Sequence, residues 1–358
     1  MKKLISMCLC AACAVAMTSC SDDDDPVIKN PDVPTISTGA FILNQGSWGK
    51  IDGSLNLLDY AKESLTMNVF KNVNGRSLGD TPQCGLVYGS KIYLGVYESK
   101  TIEIIDRISY KSIKQISLQD RPEGKQPRSM VAKGGKIYIS MYDGYLCRLD
   151  TASMTIDASV KVGPNPETIA IHGNNIYVPN SDGMNYPDYG ETASVVSIEP
   201  FQEVKKIDVP LNPKQFLSNG KDLFILCLGN YGAIPQAVYS VSSDGKCEEI
   251  SKASLAAIKG NNLYLIDFPW GAAEMNSYVY DISSKKLTDV SYENFEGSPS
   301  GLGVDPLTGN IVMTAQYIEN DYPVSDRPGM VYLYDANRKL QKRFEGGIGA
   351  GCIFFNEE

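Results

Sequence analysis

Short apolar runs recur along the chain at roughly 40–50-residue intervals, the spacing of four-stranded repeats. They read "KIYLGV" (91–96), "KIYISM" (136–141), "NIYVPN" (175–180), "DLFILC" (222–227), "NLYLID" (262–267) and "NIVMTA" (310–315). Each is too short for a helix, rich in β-branched and aromatic residues, and bounded by Gly, Asn or Asp, which predicts a strand. Another apolar stretch precedes most of them across a tight turn, as at Tyr88-Gly89-Ser90, Lys133-Gly134-Gly135, His172-Gly173-Asn174 and Lys259-Gly260-Asn261. That earlier stretch often opens on X-Pro: Thr81-Pro82, Gln126-Pro127, Asn165-Pro166, Asn212-Pro213 and Ser298-Pro299. Proline as the first residue of a strand removes no ladder bond. After each run come a loop, a third strand ending near Asp59, Asp106, Asp150, Asp281 or Asp335, and a fourth strand.

The pattern predicts an all-β chain, a seven-bladed β-propeller of four-stranded blades. The first repeat lacks its innermost strand, because Ala40 begins directly with a second-strand pattern. The missing strand is expected from "GAGCIFF" (349–355), so the C-terminal strand closes the ring. Closure leaves only short, protected sheet edges.

Antiparallel order places the turns between first and second strands on one face. The second-to-third loops and the blade-to-blade loops lie on the other. The turns are plain, but the loops are long: "NQGSWGKIDG" (44–53), "NSDGMNYPDYGET" (180–192), "GNYGAIPQ" (229–236), "FPWGAAEMNS" (268–277) and "QYIENDYPVSDRPG" (316–329). Both tryptophans, Trp48 and Trp270, fall there, with Tyr186, Tyr189, Tyr231, Tyr317, Tyr322 and Phe268. Asn44, Gln45, Asn180, Asn230 and Gln316 stand beside them, Tyr97 and Tyr142 start the two shorter loops, and the blade-to-blade loop "NVNGRSLGD" (72–80) adds Arg76. These sixteen residues form the candidate ligand-binding mouth. Aromatics with amides suit a large flat ligand, because rings offer apolar area at little entropy loss and amides fix orientation.

Composition narrows the chemistry. The chain has 358 residues, 43% of them hydrophobic, and 21 tyrosines, which suits a large strand-built core. A formal charge of −9 argues against nucleic acid as a partner. His172 is the only histidine and falls in a turn on the plain face, so no Ser-His-Asp triad and no histidine metal centre is expected at the mouth, and no catalytic residue is assigned. No cofactor is expected. A calcium site or carboxylate pair among Asp182, Asp188, Glu274, Glu319, Asp321 and Asp326 stays open, with no spacing that marks one. Cys84, Cys147, Cys227, Cys247 and Cys352 sit singly in strand-like stretches without a C-x-x-C pair, and read as small core residues.

The N-terminus reads as an address. Lys2 and Lys3 precede an apolar run, Leu4 to Met17, too short to span a bilayer. It ends in Thr18-Ser19-Cys20, similar to a bacterial lipoprotein signal with Cys20 lipidated. Residues 1–19 are expected to leave as the signal peptide, 20–38 to form an acidic, proline-containing tether, and 39–358 to form the propeller. The acidic run Asp22 to Asp25 resembles the export signal that sends lipoproteins of some Gram-negative bacteria to the cell exterior; a solvated spacer is the other reading.

The lipoprotein start, "FILNQGSWG" (41–49), "SLNLLDY" (54–60), "NGRSLGDTPQ" (74–83) and "KIYLGVYESKTIEIID" (91–106) resemble the YncE-like and surface-layer β-propeller lipoproteins, specifically their BtuG-like branch. The resemblance covers nearly all of 39–358. It implies a non-catalytic surface lipoprotein that captures cobalamin or another corrinoid for a TonB-dependent outer-membrane vitamin B12 transporter. The residues above are placed by topology, not carried over from that family. A glycan-binding or glycan-active propeller and an adhesion scaffold are the alternatives.

Cys20→Ala should release soluble protein from the membrane fraction. Replacing Asp22 to Asp25 with alanine should leave a lipidated protein that external protease no longer reaches on intact cells; full accessibility of that variant would reduce the acidic run to a spacer.

Overall fold

The inner strands of each repeat are covered on both sides, which is why the sequence shows continuous apolar runs instead of strict alternation. Along Ser37–Asn44, Phe41 and Leu43 pack against Ile92 and Leu94 of the next repeat, while Ala40 and Ile42 pack against Val312 and Val331 of the last. Seven apolar clusters arise in this way, one between each adjacent pair of blades.

The computed structural model describes residues 30–358 apart from Trp270, Ala273, Asp321 and Ser325. The expected signal peptide, Cys20 and the acidic run lie outside the described residues. Seven antiparallel four-stranded sheets form a ring, a seven-bladed β-propeller. Blade 1 holds, from the axis outward, Ala350–Glu357, Ser37–Asn44, Ser54–Asp59 and Ser64–Thr66. Blades 2 to 7 follow in chain order over residues 82–117, 127–161, 170–208, 213–251, 255–289 and 298–348. Among the described residues no helix is long and apolar enough to cross a membrane.

The C-terminal strand closes the ring. Phe354 stands opposite Phe41 and Ile353 opposite Ile42, and the two phenylalanine rings stack at 5.2 Å. All five described cysteines are free thiols within or beside the apolar clusters.

Three local features depart from the sequence pattern. A six-residue helix, Val69–Asn74, occupies the connection from blade 1 to blade 2, burying Val69 and Phe70 and ending at Gly75 with φ 68°. The inner strand of blade 4 is only Ala170–His172, because Thr168 instead bridges to Gln215 of blade 5. The 316–329 segment is largely a hairpin: the strand Ile311–Glu319 runs on past the sheet and pairs with Tyr322–Val324.

Residues 30–36 lie across the plain face. The Asp32 carboxylate accepts hydrogen bonds from the Tyr88 hydroxyl at 2.8 Å and the Gly134 N–H at 3.1 Å, and the N–H groups of Thr35 and Ile36 donate to the Glu358 carbonyl. Beside them, Glu357 faces buried Asp305, whose carboxylate accepts from the Ser37 hydroxyl and from the Leu307 and Thr308 N–H groups. Burial, and then the Asp305 charge, push the Glu357 carboxyl up to about 7.

Deleting Gly349 to Glu358 should expose the edge of Ser37–Asn44 and give aggregated or poorly expressed protein; a monomer with unchanged melting temperature would refute the closure. The Glu357 carboxyl is raised in the fold, so its favourable contribution is full below about pH 4.5 and fades as pH rises through 7. Glu357→Gln should therefore melt close to wild type at pH 5 and higher than wild type at pH 8, measured by thermal denaturation.

Candidate ligand-binding mouth

The inner strands of four blades share one irregularity at the loop-rich end. The pairing slips between Pro82 and Cys84, Pro127 and Ser129, Pro213 and Gln215, and Pro299 and Gly301. The residue after each proline is thus a bulge without a ladder partner, and a bulge re-aims its side chain. Those residues are Gln83, Arg128, Lys214 and Ser300; Glu167, after Pro166, holds the same place in blade 4. Thr81, Asn165 and Asn212, each just before its proline, take left-handed φ of 56°, 45° and 59°, which turns the chain sharply into the strand.

Four of these side chains join across four blades. Arg128 donates Nε to Glu167 Oε2 at 2.7 Å, a terminal nitrogen to Oε1 at 3.0 Å, and its other terminal nitrogen to Gln83 Oε1 at 2.9 Å. Lys214 donates to Glu167 Oε2 at 2.7 Å. The Glu167 side chain is 6% exposed, that of Lys214 31%. Burial alone would raise the Glu167 carboxyl, but Lys214 and Arg128 hold it below the ordinary range. Burial lowers the Lys214 ammonium, with Glu167 opposing. A buried pair of this kind is costly to break, because the remaining partner is left as an uncompensated charge.

Aromatic rings stand above this network. The Arg128 guanidinium lies 5.2 Å from the centre of the Tyr142 ring, and Tyr142 meets Tyr97 edge-on at 5.8 Å. Further round, Tyr186 meets Tyr189, and Tyr189 meets Tyr231, each at 6.0 Å. Burial first, then the Glu167 charge, push the Tyr142 phenol up to about 12, so it remains a donor at neutral pH.

The other half of the mouth is an apolar cleft of about 680 Å³ over blades 5 to 7. Leu228, Leu255, Phe268, Pro299 and Ile318 line it, with Tyr231 and Tyr322 at its sides and Gln236, Ser254, Ser298 and Gln316 as its polar groups. Gln236 is oriented by donating to Asp267 at 2.9 Å. A groove of about 640 Å³ elsewhere, near His172, is lined by Lys221, Glu248, Glu249 and Lys285 and is more polar.

The structure brings Gln45, Tyr97, Tyr142, Tyr186, Tyr189, Tyr231, Phe268, Gln316 and Tyr322 to the mouth. It places five expected residues elsewhere. Asn44 and Asn180 are wholly buried at the ends of their strands, beneath Gly347 and Gly163, where a Cβ would come within 2.4 Å and 2.3 Å of the respective side-chain amide carbons. Asn180 accepts from the Gly163 N–H at 3.0 Å, so this pair locks one blade to the next. Asn230 accepts from the N–H groups of Gly232 and Ile234 and shapes its own turn. Arg76 pairs with buried Glu103 at 2.8 Å over the Phe70 ring. Tyr317 sits one strand position from Gln316 and so faces away from the cleft, donating to the Met330 sulfur beside Arg343.

Trp48 is 75% exposed at its loop tip, and Trp270 lies outside the described residues. His172 is on the plain face, 3.0 Å from the Ser218 hydroxyl. Of the mouth acids, Glu319 pairs with Arg327, and Asp321 lies outside the described residues. Among the described residues no three His, Cys, Asp or Glu side chains gather as a metal site. The residues missed from sequence are Gln83, Arg128, Glu167 and Lys214. Their signal was available: each directly follows the proline that opens an inner strand.

Comparison with solved structures supports the fold. The chain is similar to Kuenenia stuttgartiensis hydrazine synthase, with TM-score 0.61 and 15% identity over 76% of this chain and 89% of that one. It is also similar to the computationally designed Ika8 protein, with TM-score 0.50 and 11% identity over the same shares. At such identities the likeness concerns architecture alone. No curated protein matches. By sequence, residues 38–206, from the start of blade 1 into the outer strand of blade 4, match the domain of unknown function DUF5074.

Proposed function

We propose that this chain is a surface-anchored binding protein that captures a corrinoid, with cobalamin as the expected ligand, and passes it to a TonB-dependent outer-membrane transporter. One observation carries the reading: a large apolar cleft flanked by tyrosines and glutamines, on the face where the long loops converge. A corrin ring is broad, flat and edged with amides. The rings of Tyr231, Phe268 and Tyr322 offer it apolar area, and Gln236 and Gln316 offer amide partners. The sequence resemblance to cobalamin-capturing propeller lipoproteins points the same way.

The docked N-terminal segment supports a surface role. Residues 30–36 lie on the plain face, so the chain leaves the propeller toward Cys20 from the side opposite the mouth and an anchor there does not obstruct it. The proposed role is capture without catalysis.

Protein lacking residues 1–20, titrated with cobalamin by calorimetry, should bind saturably. Tyr231→Ala and Tyr322→Ala should each weaken binding roughly thirtyfold, the loss of about 2 kcal/mol typical of an aromatic hot spot. His172→Ala on the plain face and Tyr317→Ala on the flank should bind as wild type, with melting curves confirming the fold. Binding lost in the His172 variant but kept in the Tyr231 and Tyr322 variants would move the site to the other face. Glycan turnover without cobalamin binding would replace the reading with an enzyme.

A further inference from the structure

The mouth has two unlike halves. Blades 5 to 7 provide the apolar cleft, whereas the inner strands of blades 3 to 5 bring Arg128, Glu167 and Lys214 to its rim. Two cations and one carboxylate leave a net charge of +1 there, in a chain whose formal charge is −9. The charges are unequally engaged. Glu167 receives both cations, and Arg128 is further tied to Gln83. Lys214 donates to Glu167 alone among the described residues, and its side chain is 31% exposed. An ammonium has three N–H donors, so two remain for another acceptor.

Lys214 is not itself in the cleft lining but stands next to it. Leu228, part of the lining, donates its backbone N–H to the Asn212 carbonyl, two residues before Lys214. Tyr231, also in the lining, has its phenol raised by burial first and then by neighbouring charges that include Glu167, the partner of Lys214. The Lys214 bulge is preceded by left-handed Asn212, whose side chain is held by a bond to the Gly229 carbonyl at 3.1 Å. A bulged, partly desolvated ammonium held beside Glu167, one blade-width from an apolar cleft, is placed to recognise charge. Held backbone at unusual φ concentrates at ligand sites.

We infer that Lys214, backed by the Arg128–Glu167 pair, is an anion subsite for a carboxylate or phosphate oxygen of a ligand whose flat apolar body lies in the cleft over blades 5 to 7. The subsite does not require the ligand to be a corrinoid. If it is one, this deepens the corrinoid reading and rests on it: the matching group is the phosphodiester of the nucleotide arm, which cobalamin has and cobinamide lacks.

The test uses calorimetry on wild type, Lys214→Met and Lys214→Arg, with 1-naphthoate and neutral 1-naphthamide as matched probes. Wild type should prefer naphthoate at least about tenfold, the usual strength of one charge-assisted hydrogen bond. Lys214→Met should abolish that preference and Lys214→Arg should restore it. Inorganic phosphate should compete with naphthoate in wild type. Glu167 keeps its two bonds to Arg128 in these variants, and melting curves check the fold. Should Lys214→Met not fold, the naphthoate preference and phosphate competition in wild type decide instead. Equal binding of the two probes, binding of neither, or an undiminished preference in folded Lys214→Met overturns the inference. Parallel titrations with cobalamin and cobinamide separate the two readings. Naphthoate preference without corrinoid binding keeps the anion subsite and ends the corrinoid assignment. Corrinoid binding without probe discrimination does the reverse.

Discussion

The pairing of Ala350–Glu357 with Ser37–Asn44 is the contact on which the rest of the ring depends. Each blade buries both faces against its neighbours, so an open ring would leave two faces and two edges in water. Phe41 on Phe354 and Ile42 opposite Ile353 seal that seam with apolar contacts drawn from the two ends of the chain. The seam also fixes the axis about which the seven inner strands stand, and with it the geometry of the mouth.

The inner strands do more than line the axis. Where a proline opens such a strand, the next residue bulges out of the ladder, and its side chain is freed from the alternation that would bury it. Blades 2 to 5 use the position for Gln83, Arg128, Glu167 and Lys214, whereas Ser300 of blade 7 donates to the Ala350 carbonyl at 2.7 Å and helps hold the seam. One backbone device thus gives a structural contact on one side of the ring and a charged cluster on the other. Burying three charges is costly, and the cost is contained because the single carboxylate is shared by both cations.

The two faces divide the labour. Tight glycine turns and the docked 30–36 segment occupy one, and the long loops with most of the exposed aromatic rings occupy the other. Asn44 and Asn180 belong to neither: each fills the space beneath a glycine of the preceding blade, where no other residue fits.

Architecture was legible in the sequence because it rests on local signals. Apolar runs of strand length recur from blade to blade, five X-Pro openings and several Gly turns mark their boundaries, and the surplus strand at 349–355 announces the closure. Topology alone also sent Gln45, Tyr97, Tyr142, Tyr231, Phe268, Gln316 and Tyr322 to one face. What sequence could not supply was the direction of individual side chains. Loop position could not separate exposed Tyr231 from buried Asn180, and one step along a strand moved Tyr317 to the flank while Gln316 stayed at the cleft. Arg128, Glu167 and Lys214 are some 40 residues apart and form a cluster only because closure brings blades 3, 4 and 5 side by side, with bulges re-aiming Arg128 and Lys214 and an isolated bridge at Pro166 placing Glu167 between them. Periodicity is written in the chain, whereas proximity across blades exists only once the ring has closed.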